Sequence, residues 1–258
     1  MAINLLSSGN ARVDIGDRSE LSGAAALTVL ITLKPASSFG ANRIVTQWGG
    51  SQGSQCFLIG AQSSGTSSAV GFVIQNAGSY KGRQTSGSTI AANTLVRLGF
   101  RWNASGNVME IWKDGASQSV STWIGDGSNA SLLNSASSVQ VGYETAEAFA
   151  LVDGDYSEFA IYTAYLSDDD MAAYGVGYSP DLLAQGATSR VAYLPLRNTT
   201  DLTDPWSGIT GTLTGGSSVD SSPLIMPAGV LSMTQTAAGG GGGGATNAGQ
   251  LLLLGCGA

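Results

Sequence analysis

Residues 93–115, NTLVRLGFRWNASGNVMEIWKDG, constrain the fold of this chain more than any other stretch. Val96, Leu98, Phe100 and Trp102 alternate with Leu95, Arg97, Gly99 and Arg101. A period of two puts one set on each face of an extended strand, whereas a helix would scatter both sets around its axis. The short turn 104–107 returns the chain into VMEIWKDG. Its Asp114-Gly115 step is a further turn signal, because glycine takes positive φ without steric cost. Two strands and two turns within 23 residues demand a sheet.

The same pattern recurs at 27–35, 42–50, 56–62, 69–76, 138–144, 148–153, 157–164 and 190–196. Pro195 places the last of these near an edge or a strand end, since proline cannot donate to a ladder. Segments 76–84 (NAGSYKGRQ) and 121–129 (STWIGDGSN) read as polar loops, each with one aromatic. Gly154 reads as a turn residue. One helix is expected, over 166–175, with Ser167 as N-cap, Asp170 three residues on, further acids in the first turn and Gly175 as stop. Many short strands with one short helix predict an all-β sandwich closed as a jelly roll.

Composition narrows the function. Histidine is absent, which removes the Ser-His-Asp triad and the usual zinc ligand. Eleven scattered basic residues and a net charge of −7 argue against nucleic acid and anionic membrane surfaces. The apolar runs are too short for a spanning helix, so no membrane insertion is expected. The N-terminus lacks the basic and apolar regions of a secretory signal, and its residues 1–16 are expected to add a strand or an arm. Of the two cysteines, Cys56 sits among apolar residues and reads as a small buried hydrophobe.

Three segments carry a family resemblance. The first is the strand pair ending in Trp112, Lys113, Asp114 and Gly115. The second is DYSEFAIYTAYLSDDDM (155–171), in which Glu158, Ile161, Tyr162, Leu166 and Ser167 match, while Ser157 stands where an aspartate is usual. The third is VAYLPLRNTTDLTDPWSGITGTLTG (191–215), which opens the domain in most members and closes it here. Together they resemble the laminin-G-like, concanavalin A-like jelly-roll family over about residues 20–215. The resemblance implies a concanavalin A-like sandwich over 1–215. It implies no one activity, because this fold hosts lectins, glucanases, adhesive modules and structural domains.

From about residue 214 the composition turns Gly/Ser-rich, and residues 216–258 read as an extended assembly arm. Six glycines, Gly239 to Gly244, cannot pack a core. Leu251, Leu252, Leu253 and Leu254 form an apolar patch suited to a neighbouring chain. Sparse charge, no secretory signal and this tail are similar to bacteriophage virion proteins that carry such modules. The analogy implies a non-enzymatic structural virion protein (capsid decoration, head fibre or tail component) made in a host cytoplasm. Its expected partners are capsid or tail subunits, further copies of itself and host glycans. The runner-up is an extracellular carbohydrate-binding module or a laminarinase-type glycoside hydrolase.

The hydrolase alternative rests on Asp153, Asp155 and Glu158, spaced D-x-D-x-x-E, with Asp153 and Glu158 as the reacting pair. Against it, the resemblance puts Glu158 at a seam that hydrogen-bonds neighbouring turns, so no catalytic residue is assigned. No cofactor is required. Calcium is the candidate cation, with Asp126, Asp153 and Asp155 as oxygen donors. Tyr80 and Trp123 are candidate stacking platforms for a glycan, with Asp126 and Asn129 as polar partners.

Overall fold

The computed structural model describes residues 2–220 apart from 63–64, 77–78, 134, 184–187 and 216–217. The strands in chain order are β1 (Ala2–Leu5), β2 (Arg12–Asp14), β3 (Ala26–Pro35), β4 (Arg43–Trp48), β5 (Gln55–Ala61) and β6 (Ser67–Ser68). There follow β7 (Val70–Asn76), β8 (Ser79–Thr85), β9 (Ile90–Ala91), β10 (Val96–Asn103), β11 (Val108–Lys113) and β12 (Ala116–Ser117). The rest are β13 (Val120–Asp126), β14 (Val139–Gly142), β15 (Gly154–Tyr162), β16 (Arg190–Leu194), β17 (Thr212–Thr214) and β18 (Ser218–Asp220), with helix α1 (Asp168–Gly175) between β15 and β16.

They form an all-β jelly-roll sandwich. The first sheet runs β12-β11-β10-β3-β15-β1-β18, with β16 also paired to β15, and the second runs β13-β8-β7-β5-β4-β14-β2-β17. The alternation of β10 sorts its side chains as expected. Val96, Leu98, Phe100 and Trp102 enter the core between the sheets, where Phe100 meets Phe72 edge-on at 5.7 Å. Each such aromatic contributes roughly 1.5–3 kcal/mol by leaving water. Asp114 and Gly115 both take positive φ, as a tight turn between β11 and β12 requires. Cys56 is buried in the core, and burial pushes its thiol up to about 12.

The sheets differ on their outer faces. The first is covered by α1, whose Met171 and Tyr174 pack with Leu30, Trp112, Tyr162 and Tyr193. Ser167 caps this helix, its hydroxyl oxygen accepting from Asp170 N–H at 3.1 Å. The Asp170 carboxylate in turn accepts the Ser167 hydroxyl at 3.0 Å. The second sheet has no such cover among the described residues.

Four local expectations are corrected. Residues 79–85 and 120–126 are paired strands, not loops. Residues 148–153 form no strand; Phe149 and Leu151 make only isolated bridges, to Glu144 and Arg43. Gly154 opens β15 instead of turning the chain. The N-terminal residues add strands as expected, β1 beside β15 and β2 beside β14. At the far end, β18 pairs with β1. Gly239, Gly244 and Leu251 to Leu254 lie outside the described residues.

Candidate functional site

The uncovered face of the second sheet carries an aromatic cleft. Arg43, Trp48, Gln55, Leu58, Val73, Tyr80, Trp123, Ile124 and Glu147 line a volume of about 180 Å³. Trp48, Leu58 and Val73 form its apolar floor, against which Tyr80 and Trp123 pack. The Trp48 and Tyr80 rings lie 6.2 Å apart, inclined at 35°.

Two irregularities of register build this surface. Trp48 pairs with Gln55 while Gln47 pairs with Phe57, so Cys56 is the extra residue of a bulge. Strict alternation would send Gln55 inward with Phe57. The bulge turns it outward beside Trp48 while Phe57 stays in the core. On β13, Thr122 pairs with Arg83 but Asp126 with Lys81, so four steps on one strand answer two on the other. The slack lets consecutive residues, Trp123 and Ile124, both fold over the sheet. Glycine makes room beneath them. A Cβ on Gly71 would stand 2.5 Å from the Trp123 ring, and one on Gly82 2.6 Å from Ile124.

Polar groups edge the cleft in a connected series. Tyr80 O–H donates to Gln55 Oε1 at 2.7 Å, and Gln55 Nε2 donates to Glu147 Oε1 at 3.4 Å. Glu147 N–H donates to Glu144 at 3.0 Å. The guanidinium of Arg43 is held by Glu144 at 3.1 Å and by the face of Phe149 at 3.8 Å. Burial raises the Glu144 carboxyl above its ordinary range, although Arg43 and the Glu147 amide pull it down.

Of the residues expected to meet a glycan, Tyr80 and Trp123 come together here. Asp126 does not line the cleft. It is paired with Arg83 and with Lys81, and the Arg83 guanidinium holds its carboxyl below the usual range. Asn129 is 2% exposed. The candidate calcium donors are divided, Asp126 on β13 of the second sheet and Asp153 and Asp155 at the start of β15 in the first. Asp155 accepts Asn4 Nδ2 at 2.7 Å. Among the described residues, no group of three metal-ligating acids or cysteines converges. Trp48, Gln55 and Glu147 escaped the sequence reading. The glycines at 71 and 82, opposite aromatic-bearing strands, were the available signal.

Glu158 belongs to the other sheet. It sits at a bulge with φ of 53°, where β15 exchanges β1 for β16 as its edge partner. Tyr193 O–H donates to its carboxylate at 2.6 Å and Ser179 O–H at 3.1 Å, while Arg197 stands 3.7 Å away. This is the seam role the resemblance implied: the carboxylate ties β15 to β16 and to the 179–182 turn.

No protein-family model matches the chain. No curated protein matches it either. Solved structures do share its fold. A "putative carbohydrate binding protein" from Bacteroides ovatus superposes with a TM-score of 0.60 at 13% identity, covering 88% of this chain and 62% of that one. This chain thus spans less than two thirds of the Bacteroides protein. The heptameric SAP-like pentraxin from Limulus polyphemus superposes with a TM-score of 0.57 at 12% identity, covering 85% and 94%. At such identities the likeness establishes the all-β sandwich fold and leaves the ligand to the chemistry of this chain.

Proposed function

We propose that the sandwich is a non-catalytic carbohydrate-binding module and that the cleft of Trp48, Tyr80 and Trp123 is its binding surface. One observation carries this reading: three aromatic side chains from three strands border a single open cleft with an amide and a carboxylate at its edge. Sugar rings offer apolar C–H faces and equatorial hydroxyls, and such a site meets both needs. The fold likeness to a protein named for carbohydrate binding accords with it. Titration of neutral gluco-oligosaccharides, followed by calorimetry or amide shifts, tests the reading. Trp123→Ala should weaken binding by about 2 kcal/mol, roughly 30-fold. Undiminished binding by that variant, or no binding of any saccharide by the parent, would refute it.

The same proposal extends to the whole chain: a structural virion component in which the module adheres to host glycans and the 216–258 arm docks onto neighbouring subunits. Its support is the sparse charge and Gly-rich tail of the sequence. The arm follows from the β17–β18 region, where β18 already adds a strand beside β1.

A further inference from the structure

A second groove lies away from the cleft. Arg18, Glu20, Thr163, Thr188, Ser189, Arg190, Val191, Ser207 and Ile209 enclose about 390 Å³. Its chemistry differs from that of the cleft. Five of the eleven basic residues, Arg43, Lys81, Arg83, Arg101 and Arg197, form ion pairs among the described residues. Arg18 and Arg190 form none, although both are half-buried. Among the described residues, Arg18 donates to the carbonyl of Asp17, at 2.7 Å. The one carboxylate in the wall, Glu20, is exposed at the rim. In a chain of net charge −7, two guanidiniums with no ion pair among the described residues stand in one groove wall with a single acid, while Asp204 behind Ser207 is engaged by hydrogen bonds of its own.

An aromatic stands beside it. The Arg190 guanidinium lies over the Trp206 ring at 5.4 Å, and Trp206 is 66% exposed. Its ring, placed beside Arg190, offers a flat apolar contact face. The turn that presents it is rigidly built. The Asp204 carboxylate accepts from Trp206 N–H at 2.8 Å, Ser207 O–H at 2.7 Å and Tyr193 N–H at 2.9 Å. Asp204 N–H donates to Ile209 at 2.7 Å, and Thr203 and Thr210 close the base as a bridge. Nearby, Ser189 Oγ has no hydrogen-bond partner among the described residues. Two planar cation forks, hydroxyls and one flat apolar face match a sugar that carries a carboxylate.

We propose that this groove is a second saccharide site, taking a carboxylated sugar whose anion is held by Arg190 and Arg18 and whose ring rests on Trp206. It is independent of the cleft, which offers no unpaired cation. The probe is trigalacturonate, compared with its fully methyl-esterified form, by calorimetry on the full chain at 20 and 150 mM salt. The acid should bind, and the ester at least tenfold more weakly. Arg190→Ala should cost at least tenfold, Arg18→Ala and Trp206→Ala several-fold each, and Trp123→Ala nothing. Trp206 is exposed, so its variant keeps the fold even if an arginine variant does not. The proposal is overturned if trigalacturonate does not bind, if the ester binds equally, or if Trp206→Ala and Arg18→Ala leave binding unchanged. Loss of trigalacturonate binding in Trp123→Ala would also overturn it, by moving the ligand to the cleft.

Discussion

Gly71→Ala is the sharpest probe of how the cleft is built. The added methyl would lie 2.5 Å from Trp123 Cε3, 2.7 Å from its Cζ3 and 2.7 Å from Gln62 Nε2. Carbon atoms settle at roughly 3.5–4.0 Å, so the ring must withdraw by about 1 Å. Overpacking in a closed core costs about 1–3 kcal/mol. Here the ring is half-buried on an open face and can swing outward, so the stability loss falls at the lower end. A gap of 0.5–1 Å forfeits roughly a quarter to a half of a dispersion contact. If removing Trp123 costs about 2 kcal/mol, displacing it costs about 1 kcal/mol, or roughly fivefold in affinity. Calorimetry with a neutral oligosaccharide measures this directly, and a thermal melt confirms the fold. The double variant supplies the control, because in a Trp123→Ala background Gly71→Ala has no ring left to displace and should add nothing. An equal penalty in both backgrounds would show that Gly71 does not act through Trp123, and the account of the cleft floor would fail.

Two further outcomes follow from other parts of the molecule. Burial raises the Glu158 carboxyl above its ordinary range, with the Tyr193 hydrogen bond, Arg197 and Ser179 only partly opposing. The folded state therefore holds that proton more tightly than the unfolded chain. The linked stability is full below the unfolded value near 4.5 and is lost as pH rises through the folded value. Glu158→Gln, which cannot ionise, should gain on the parent in melting temperature from pH 4 to pH 7; a gain that instead grows toward acid would mean the Arg197 pair dominates. Deleting residues 236–258 should leave the melting temperature unchanged and abolish incorporation into particles, and retained incorporation would remove the arm from assembly.

The fold was legible because its strongest strands obey a simple period. β3, β7 and β10 bury alternate residues on the core side, and the Ser167 cap and Asp114-Gly115 turn are local chemistry readable from a few neighbours. The candidate site was half legible for the opposite reason. Tyr80 and Trp123 sit in SYKGRQT and VSTWIGD, strands so rich in Gly, Ser and charged or polar residues that they pass for loops. Such strands form because their neighbours supply the pairing: β8 is hydrogen-bonded along its length to β7, whose VGFVI run anchors it in the core. Trp48 and Gln55 converge only through the bulge at Cys56, and a bulge leaves no mark in a single sequence when the extra residue is itself buried and apolar.

The same physics explains why partly exposed aromatic area gathers on this face. The first sheet spends its outer surface on a helix, so Trp112, Tyr162, Tyr174 and Tyr193 are buried and their aromatic area serves stability. The second sheet has no helix over it among the described residues, yet carries Trp48, Tyr80, Trp123 and Ile124 outward. Aromatic area left partly in water gives up stabilisation that a closed core would collect. The two bulges and the two glycines keep it there in a fixed arrangement, and under the proposed function a ligand would complete the packing. Gly82→Ala would set a methyl 2.6 Å from Ile124 Cγ2 and 3.0 Å from the Ile124 carbonyl oxygen, so it should cost about 1–3 kcal/mol of stability by overpacking and, by displacing the cleft wall, lower affinity for the oligosaccharide. Stability lost with affinity intact would separate Ile124 and its glycine from binding, and the cleft would lose its claim to function.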